Sequence, residues 1–500
     1  MRPYPGQSPF EKLGIHLEWS KPLVIIVTLF VGIIILSGLV PAPTSYDWKE
    51  DEKIAKSAKE KAEIMKMDRR GKARTVQILV LGDIGRSPRM QYHALSVAKH
   101  GSVVHLIGYC ESPLHPDLIG NPRVTVYPIS SPPGFLKRLP FILGGPLKVL
   151  LQLASIARIL FWASPACQYL LVQNPPSIPT LFLAEMVTQI RSTRVIVDWH
   201  NYGWSILANT KGPNHPFIPL AQSHEAIFGK GFNHFWNHHK IHLTVTEAMR
   251  KDLQNKPYNI PAAQIRTLHD RPAEIFQPLT SPSQRETFLT TLPQTKEIAN
   301  TILSGQTKLI VSSTSWTPDE DFSLLLDALV TYAQKASTPI MAIITGKGPQ
   351  KSLYESRIND LVKSGQLPNI RILTAWLSIE DYASLLACAD LGICLHKSTS
   401  GVDLPMKVVD MFGSGLPVAA YSGYESFDEL VKEGVNGCGF ETADELAAIL
   451  SRLFGTPRGE EELEVLRRGA RKESELRWDE EWGRVLGEEL GIQIQLACDL

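Results

Sequence analysis

Two successive series of short apolar runs separated by helical stretches constrain the fold of this chain more than any other feature. Runs of this kind are typical of strands buried on both faces of a parallel sheet. The first series comprises 76–81, 102–109, 123–129, 169–175, 194–201 and a strand leading into a helix at 243–253. After a predicted hinge, Ile265–Leu279, the second comprises 308–316, 339–349, 370–376, 390–396 and 416–421. The pattern predicts an α/β protein with two Rossmann-like domains facing a cleft and ligands at the carboxyl ends of the strands.

A different kind of segment precedes the first series. Leu23–Val40 contains no charged residue, and as a helix it would span about 27 Å, close to the thickness of a bilayer's hydrocarbon core. A cleaved signal peptide has a shorter apolar region, so a single uncleaved signal anchor, one transmembrane helix, is predicted. Lysine and arginine are denser on the C-terminal flank, and this bias favours a cytosolic body.

The overall composition excludes some classes of partner. Lys+Arg and Asp+Glu both number 51, so no basic excess points to nucleic acid and any anion site must be local. The six cysteines are scattered without a metal-like spacing, which predicts reduced thiols, with Cys388 and Cys394 in the core. No Asn-x-Ser/Thr sequon occurs, in agreement with a cytosolic body.

The first strand ends in a glycine turn followed by two arginines. Gly82 and Gly85 allow close backbone approach to a ligand, and Arg86 and Arg89 add positive charge beside a helix start. Asp83 lies in the same turn, where it can act as a base or hold the loop's own amides. The full G-x-G-x-x-G pattern is missing, which disfavours a nicotinamide fold. The alternative is a turn required only for packing.

The most specific stretch is Gly401–Tyr421 in the second series. Lys407 and Asp410 lie three residues apart and share one face of a short helix after Pro405. A lysine at a helix start can neutralise a diphosphate, and an acid one turn later can accept hydrogen bonds from ribose hydroxyls. The alternative is an ordinary ion pair on a helix surface.

Other loops at strand ends carry polar residues. Gly346 and Lys347 follow a second-series strand, where a phosphate contact and a plain turn are both compatible with the sequence. His200 follows a buried strand beside Asp198 and Asn201, where it can act as a base or bind an acceptor.

Three features receive a structural interpretation or stay open. Thr317–Glu320 is predicted to be a capping box, so Asp319 and Asp321 are not assigned to a metal. The histidines of 234–242 lack the accompanying acid of a zinc site. Gly134–Ala163 mixes apolar and basic residues, typical of a membrane interface or of a buried helix with a basic edge.

Taken together, four stretches resemble the chitobiosyldiphosphodolichol beta-mannosyltransferase family: LGDIGRSPRMQYHALS, DWHNYGWSIL, SSTSWTPDEDF and GVDLPMKVVDMFGSGLPV. The resemblance covers Thr75 to the C-terminus plus the anchor. It implies a GT-B glycosyltransferase that moves mannose from GDP-mannose to GlcNAc2-diphosphodolichol with inversion, forming a β1,4 bond without a bound metal. This is the first mannosylation of the lipid-linked oligosaccharide for protein N-glycosylation, at the cytosolic face of the endoplasmic reticulum.

The resemblance also assigns residues and regions. Asp410 matches the second acid of the E-x7-E motif of GT-B enzymes, and Asp403 matches the first only loosely, with six intervening residues. Lys407 is expected at the diphosphate, and Asp83 or His200 is expected as the base. The expected layout is a lumenal tail at 1–22, the anchor at 23–40, a charged stalk at 41–74, an acceptor domain at 75–275, a nucleotide-sugar domain at 276–475 and a C-terminal tail at 476–500.

Expected partners are the ER membrane, the two substrates and other mannosyltransferases of the dolichol pathway. Two alternatives remain at this point. One is a membrane-bound GT-B transferase with another sugar nucleotide or lipid acceptor, and the other is a non-catalytic, anchored partner of such enzymes.

Overall fold

The fold is described from a computed structural model of the 500-residue chain. It describes residues 74–130, 140–231, 240–317, 320–336 and 338–490, together with residues 32, 37 and 38. The predicted anchor, apart from those three residues, and the predicted stalk up to residue 73 lie outside the described residues. None of the helices described here combines the length and the apolar character needed to cross a bilayer.

The first sheet contains seven strands in the order β3-β2-β1-β4-β5-β6-β7. The recorded pairings β1–β2, β2–β3, β5–β6 and β6–β7 are parallel. The strands are β1 (Thr75–Asp83), β2 (Val103–Tyr109), β3 (Val124–Pro128), β4 (Tyr169–Asn174), β5 (Arg194–Trp199), β6 (Ile241–Thr244) and β7 (Ile265–Thr267).

Parallel strands need long crossover connections, and α-helices supply them between all of these strands except β2 and β3. They are α1 (Pro88–Lys99), α2 (Phe141–Arg158), α3 (Thr180–Arg191), α4 (Gly203–Lys211), α5 (Phe217–Lys230) and α6 (Glu247–Gln254).

The second sheet contains six strands in the order β10-β9-β8-β11-β12-β13, all paired in parallel. Its elements, in chain order after α7 (Pro282–Thr291) and α8 (Ala299–Leu303), are β8 (Lys308–Ser313), α9 (Ser323–Lys335), β9 (Ile340–Thr345), α10 (Lys351–Lys363), β10 (Ile370–Ala375), α11 (Ile379–Cys388), β11 (Leu391–Cys394), α12 (Met406–Gly413), β12 (Val418–Tyr421), α13 (Phe427–Leu430), β13 (Gly437–Phe440), α14 (Ala443–Phe454), α15 (Pro457–Glu473) and α16 (Trp478–Trp482).

Helices cover both faces of this second sheet. Along β8, Ile310 faces one apolar cluster, which includes Leu325 of α9. Its neighbours Leu309 and Val311 face the other cluster, which includes Val408 of α12. Because side chains alternate along a strand, one buried run supplies both clusters, and the polar strand-end loops remain for the site.

Contacts within the chain divide it into two compact units. Within the described residues the first comprises 74–94, 101–170 and 179–195, and the second comprises 95–100, 171–178 and 196–490.

Each run predicted as a strand overlaps one, although β1 extends beyond 76–81 and β6 begins before 243, and Cys388 and Cys394 are buried as predicted. Two predictions were incomplete. The segment Ile265–Leu279 begins with strand β7 rather than being a hinge throughout, and β13 was not predicted. Both strands are too short to show a hydrophobic period.

The long apolar stretch Gly134–Ala163 forms helix α2 and a π-helical turn, Ile159–Ala163, within its described part. Ile156 and Ala157 are fully buried, whereas Leu150 and Trp162 are about half exposed. The helix therefore buries one face, and its contact with a membrane stays a prediction.

Candidate active site

Glu320 and Lys407 form the centre of the charged loops at the carboxyl edge of the second sheet. Glu320 is 3% exposed, and its carboxylate accepts hydrogen bonds from Thr314 Oγ1 at 2.7 Å and from the Ser315 amide at 2.5 Å. The Lys407 ammonium forms an ion pair with the same carboxylate. Since Lys407 lies in the first turn of α12, its charge adds to that of the helix amino terminus, where anions bind favourably.

This arrangement corrects the prediction for Thr317–Glu320. Helix α9 begins at Ser323, and the Ser323 amide and hydroxyl donate to Asp321, whose other oxygen lies 3.2 Å from Lys397 Nζ. Glu320 is therefore a partner of Lys407 and not part of a helix cap. Asp319 lies outside the described residues, and no group of three potential metal ligands occurs within them.

Asp403 shapes the loop between β11 and α12. Its buried carboxylate accepts hydrogen bonds from Ser398 and Ser400 and lies 3.3 Å from His396 Nε2. Burial raises the pKa of Asp403, but His396 and the two serines outweigh that effect and hold the pKa below its ordinary value. Asp403 thus acts within the loop, whereas a direct contact with a nucleotide stays a prediction.

Asp410 does not pair with Lys407, so the two do not form the surface ion pair considered from the sequence. Burial, with a contribution from the charge of Asp270, raises the pKa of Asp410 to about 8. The carboxyl group is therefore mostly protonated at neutral pH and can donate as well as accept a hydrogen bond.

The loop after β9 is packed tightly against the loop after β8. A Cβ atom on Gly346 would lie 1.8 Å from the carbonyl oxygen of Thr314, and one on Gly348 would lie 1.7 Å from that of Ser315. Packing therefore explains both glycines, as the plain-turn alternative predicted. The ammonium group of Lys347, between them, lies 3.9 Å from the ring centroid of Trp376.

Trp376 directly follows β10 and is 62% exposed. Because β10, β9, β8 and β11 are adjacent and parallel, Trp376, Lys347, Ser315 and Lys397 all follow strands at the same edge of the sheet. This edge offers lysine ammonium groups, a helix amino terminus and one exposed aromatic face, which together suit a nucleoside diphosphate.

His200 lies in the loop after β5. Its Nε2 atom lies 2.7 Å from Oδ2 of the fully buried Asp198, and its side chain is 23% exposed. The adjacent Asn201 donates to Thr399 Oγ1 at 3.1 Å, so this loop contacts the β11–α12 loop of the second sheet. A histidine oriented by a buried carboxylate is suited to remove a proton from a hydroxyl group.

The glycine turn after β1 belongs to the first unit. Asp83 Oδ1 accepts hydrogen bonds from the amides of Glu111 and Ser112, at 3.0 and 3.1 Å. Burial raises the pKa of Asp83, but hydrogen bonds from Ser112, Glu111 and Gly85 outweigh it and lower the pKa below 3.8. These contacts agree with the alternative that Asp83 holds the loop's own amides.

The other residues of this turn differ in their surroundings. A Cβ atom on Gly85 would lie 2.6 Å from the Pro113 carbonyl oxygen, so packing explains this glycine, whereas the surroundings of Gly82 are open. Arg86 is exposed and lies 3.5 Å from Asp83, whereas Arg89 is only 4% exposed. Of the two arginines, Arg86 is therefore the more accessible to an anion.

Sequence reasoning missed Glu320, Trp376 and Lys397. Glu320 and Lys397 follow predicted strands and Trp376 is the last residue of one, and that position was the available signal. The partners of Glu320 and Lys397 could not be inferred, because Lys407 is 87 residues from Glu320 and Lys397 is 76 residues from Asp321.

The fold resembles solved glycosyltransferase structures. Anabaena HepE in complex with UDP has a TM-score of 0.58 at 16% identity, covering 84% of this chain and 99% of that chain. WaaG, a glycosyltransferase involved in lipopolysaccharide biosynthesis, has a TM-score of 0.58 at 13% identity, covering 84% and 100%. The two parallel-sheet, Rossmann-like domains thus define a GT-B glycosyltransferase fold.

Curated relatives identify the family. The chitobiosyldiphosphodolichol beta-mannosyltransferase of Arthroderma benhamiae is 45% identical over 385 residues, 75% of this chain and 84% of the relative. The Homo sapiens enzyme of the same name is 40% identical over 448 residues, 83% and 92% of the two chains. No protein-family model matches the chain. The chain belongs to the chitobiosyldiphosphodolichol beta-mannosyltransferase family and is a glycosyltransferase, as its sequence motifs predicted.

Proposed function

We propose that this enzyme transfers mannose from GDP-mannose to a chitobiosyl-diphosphate lipid, dolichol-linked in the cell, forming a β1,4 bond. The names of the relatives support the acceptor and the transferred sugar. In the reaction, the acceptor hydroxyl oxygen bonds to the anomeric carbon while the bond from that carbon to the diphosphate breaks. Because the donor is α-linked, a single displacement gives the β product.

The observation that carries the proposal is the ion pair between Lys407, in the first turn of α12, and the buried Glu320. In this role the Lys407 ammonium and the helix amino terminus bind the donor diphosphate and neutralise the negative charge of departing GDP. Lys347 follows β9 and Lys397 follows β11, on either side of β8, and both add positive charge at the same edge of the sheet. Asp410 forms hydrogen bonds with the ribose of the donor, and Asp403 stabilises the loop between β11 and α12.

The general base is His200 in this proposal, with Asp83 as the alternative. His200 has a buried carboxylate as its partner and a partly exposed ring. Asp83 has a lowered pKa and already accepts two backbone amides through Oδ1. Both facts make the histidine the better acceptor of the proton from the attacking hydroxyl.

The same proposal includes a location and a metal requirement. Leu23–Val40 anchors the enzyme in the ER membrane with its body on the cytosolic side, where a lipid-bound acceptor is within reach. Side chains supply the charge at the diphosphate, so we expect EDTA to leave turnover unchanged. Loss of activity that only a divalent metal restores would contradict that expectation.

A donor comparison tests the function. Purified full-length protein in detergent is incubated with a short-chain chitobiosyl-diphospho-lipid and either GDP-mannose or UDP-GlcNAc. We expect one hexose to be added only from GDP-mannose, in a linkage that β-mannosidase removes. Turnover only from the UDP sugar would refute the proposal, and a variant lacking 1–40 tests whether the chemistry resides in the body.

A further inference from the structure

A second charged region lies in the second unit, away from the carboxyl-edge loops. It is a cavity of about 400 Å³ lined by the start of α7, the residues just before β11, the turn after α12 and one side of α15. Asp390 in its wall binds the amide of Leu309, next to the first residue of β8, at 2.8 Å. The cavity therefore lies at the amino ends of the strands whose carboxyl ends carry the active-site loops. Its volume falls within the range of small-molecule sites, about 300–1,000 Å³.

Three arginines line this cavity, and only one of its lining residues is acidic. Asp390 Oδ1 lies 3.0 Å from an Arg285 nitrogen and 3.5 Å from an Arg467 nitrogen, while Oδ2 is occupied by the Leu309 amide. Arg467 also pairs with Glu464 at 3.0 Å. Arg471 forms no ion pair with any residue that the structure describes. Arg285, Arg467 and Arg471 together with Asp390 and Glu464 therefore have a net charge of +1, which is located at Arg471.

Arg471 lies beside the glycine turn that follows α12. Gly415 has a φ of +71°, and a Cβ atom there would lie 3.1 Å from Arg471 Cγ and 3.1 Å from Pro278 Cβ. Gly415 therefore lies close to both Arg471 Cγ and Pro278, and the Arg471 side chain, which lines the cavity, is exposed. The planar guanidinium is itself pre-organised, so it loses less entropy for each hydrogen bond to an anion than a flexible ammonium group does.

The remaining lining suits a compact ligand with one anionic end. Pro278, Leu279 and Pro282 form an apolar wall, and Ser281 and Ser414 also line the cavity, with their hydroxyl groups already paired with Ser283 and with the Asp410 carbonyl. A guanidinium binds phosphate oxygens in a bidentate manner, and the amino terminus of the ten-residue helix α7 adds a favourable dipole.

We propose that this cavity binds the phosphate group of a small phosphorylated molecule, either a sugar phosphate or free phosphate. Arg471 is the principal anion ligand, and Arg285 and Arg467 keep Asp390 neutralised beside it. The proposal does not depend on the identity of the donor or acceptor, because the residues involved take no part in the active-site loops.

Calorimetric titration of the full-length protein tests this site, with saturating GDP present to occupy the active site. The probes are inorganic phosphate, mannose 1-phosphate and mannose. We expect both phosphorylated probes to bind and mannose not to bind. Tighter binding of mannose 1-phosphate would identify a sugar phosphate as the ligand, and equal binding would identify free phosphate. Absence of phosphate binding at millimolar concentration in the presence of saturating GDP would refute the proposal.

Variants of two neighbouring arginines locate the binding. Arg471→Gln should weaken phosphate binding at least tenfold. Arg471→Lys should have an intermediate effect, because lysine keeps the charge but cannot form the two parallel hydrogen bonds of a guanidinium. Arg468→Gln removes the same charge from an exposed position of α15 outside the cavity and should leave binding unchanged. Equal losses in the 468 and 471 variants, or full affinity in folded Arg471→Gln, would contradict the assignment.

Discussion

The loops after β1 and β8 each place a carboxylate just beyond a buried strand, yet the two carboxylates have different partners. Asp83 holds two backbone amides, whereas Glu320 holds one amide, one hydroxyl and the ammonium of Lys407. Backbone amides cannot move without reshaping the loop, and an amide left unpaired in the interior costs about 1–3 kcal/mol. An ammonium on a flexible side chain can instead turn to a phosphate. The comparison indicates a structural carboxylate in the first loop and a functional ion pair in the second.

The largest expected effect comes from replacing each of the two candidate bases, Asp83 and His200, in separate variants. Asn at position 83 can still accept the amides of Glu111 and Ser112, so Asp83→Asn should keep kcat within about tenfold. Gln at position 200 cannot take up the proton, so His200→Gln should lower kcat by about 10²–10⁴-fold. Steady-state kinetics with saturating donor and acceptor measure both.

The opposite result would break the comparison. If Asp83→Asn abolishes turnover while its thermal unfolding matches that of the unmodified enzyme, Asp83 is the base and its loop is catalytic. Asp83→Ala, which removes the amide acceptor, serves as the structural control and should lower the unfolding temperature.

The next largest effect is expected at Lys407. Lys407→Ala removes the charge proposed to stabilise departing GDP, so kcat should fall by about 10²–10³-fold. It also leaves Glu320 buried without its cation, which should lower stability. The double variant Glu320→Gln/Lys407→Ala should regain stability but not turnover.

A matched control separates this site from surface charge. Lys432→Ala breaks an exposed pair with Glu473 and should leave kcat unchanged. If the double variant recovers turnover together with stability, Lys407 acts on folding and not on the diphosphate.

The sequence predicted the sheets better than the ion pairs. Apolar runs such as those of β4 and β8 predict buried strands, because a strand that is buried on both faces needs a continuous run of hydrophobic residues. β7 and β13 were missed, because a three-residue edge strand or a run containing two glycines leaves almost no pattern.

The site could be predicted only where its signal was local. The short helix that carries Lys407 was predicted to begin after Pro405 and to end at the glycines from Gly413, and it was confirmed as Met406–Gly413. The role of Glu320 was mistaken, because Thr-Pro-Asp-Glu matches a local cap while its true partner is distant in sequence. Local rules describe the backbone near a residue, whereas ion pairs depend on how distant elements fold together.

A smaller effect is expected where the second sheet offers an aromatic face. We expect the guanine base to stack on Trp376, since this ring is exposed and follows β10 at the same edge as the lysines. Base stacking contributes about 1–3 kcal/mol, so Trp376→Ala should raise the donor KM about tenfold and leave the acceptor KM unchanged. Trp376→Phe should restore most of the affinity. An unchanged donor KM in Trp376→Ala would exclude stacking there.

The smallest expected effect concerns Glu429, whose carboxylate combines both kinds of contact: it accepts the amides of Glu247 and Ala248 and lies 3.3 Å from His269. The hydrogen bonds that the His269 ring donates to Glu429 and then to Glu481 raise the pKa of His269 to about 9, against burial and Arg271, which lower it. The folded state binds the His269 proton more tightly than the unfolded state, so protonated His269 raises the free energy of unfolding. This stabilisation is complete below pH 6.5 and is lost as the pH rises through about 9. Chemical denaturation should therefore show a decrease in the free energy of unfolding between pH 6.5 and 9.5, and the part of it above pH 8 should be absent in His269→Gln. Asp410, whose pKa is raised to about 8, also lowers the free energy of unfolding as the pH rises, but mainly below pH 8. Only a decrease in the free energy of unfolding above pH 8 that persists in His269→Gln would therefore contradict the assignment to His269.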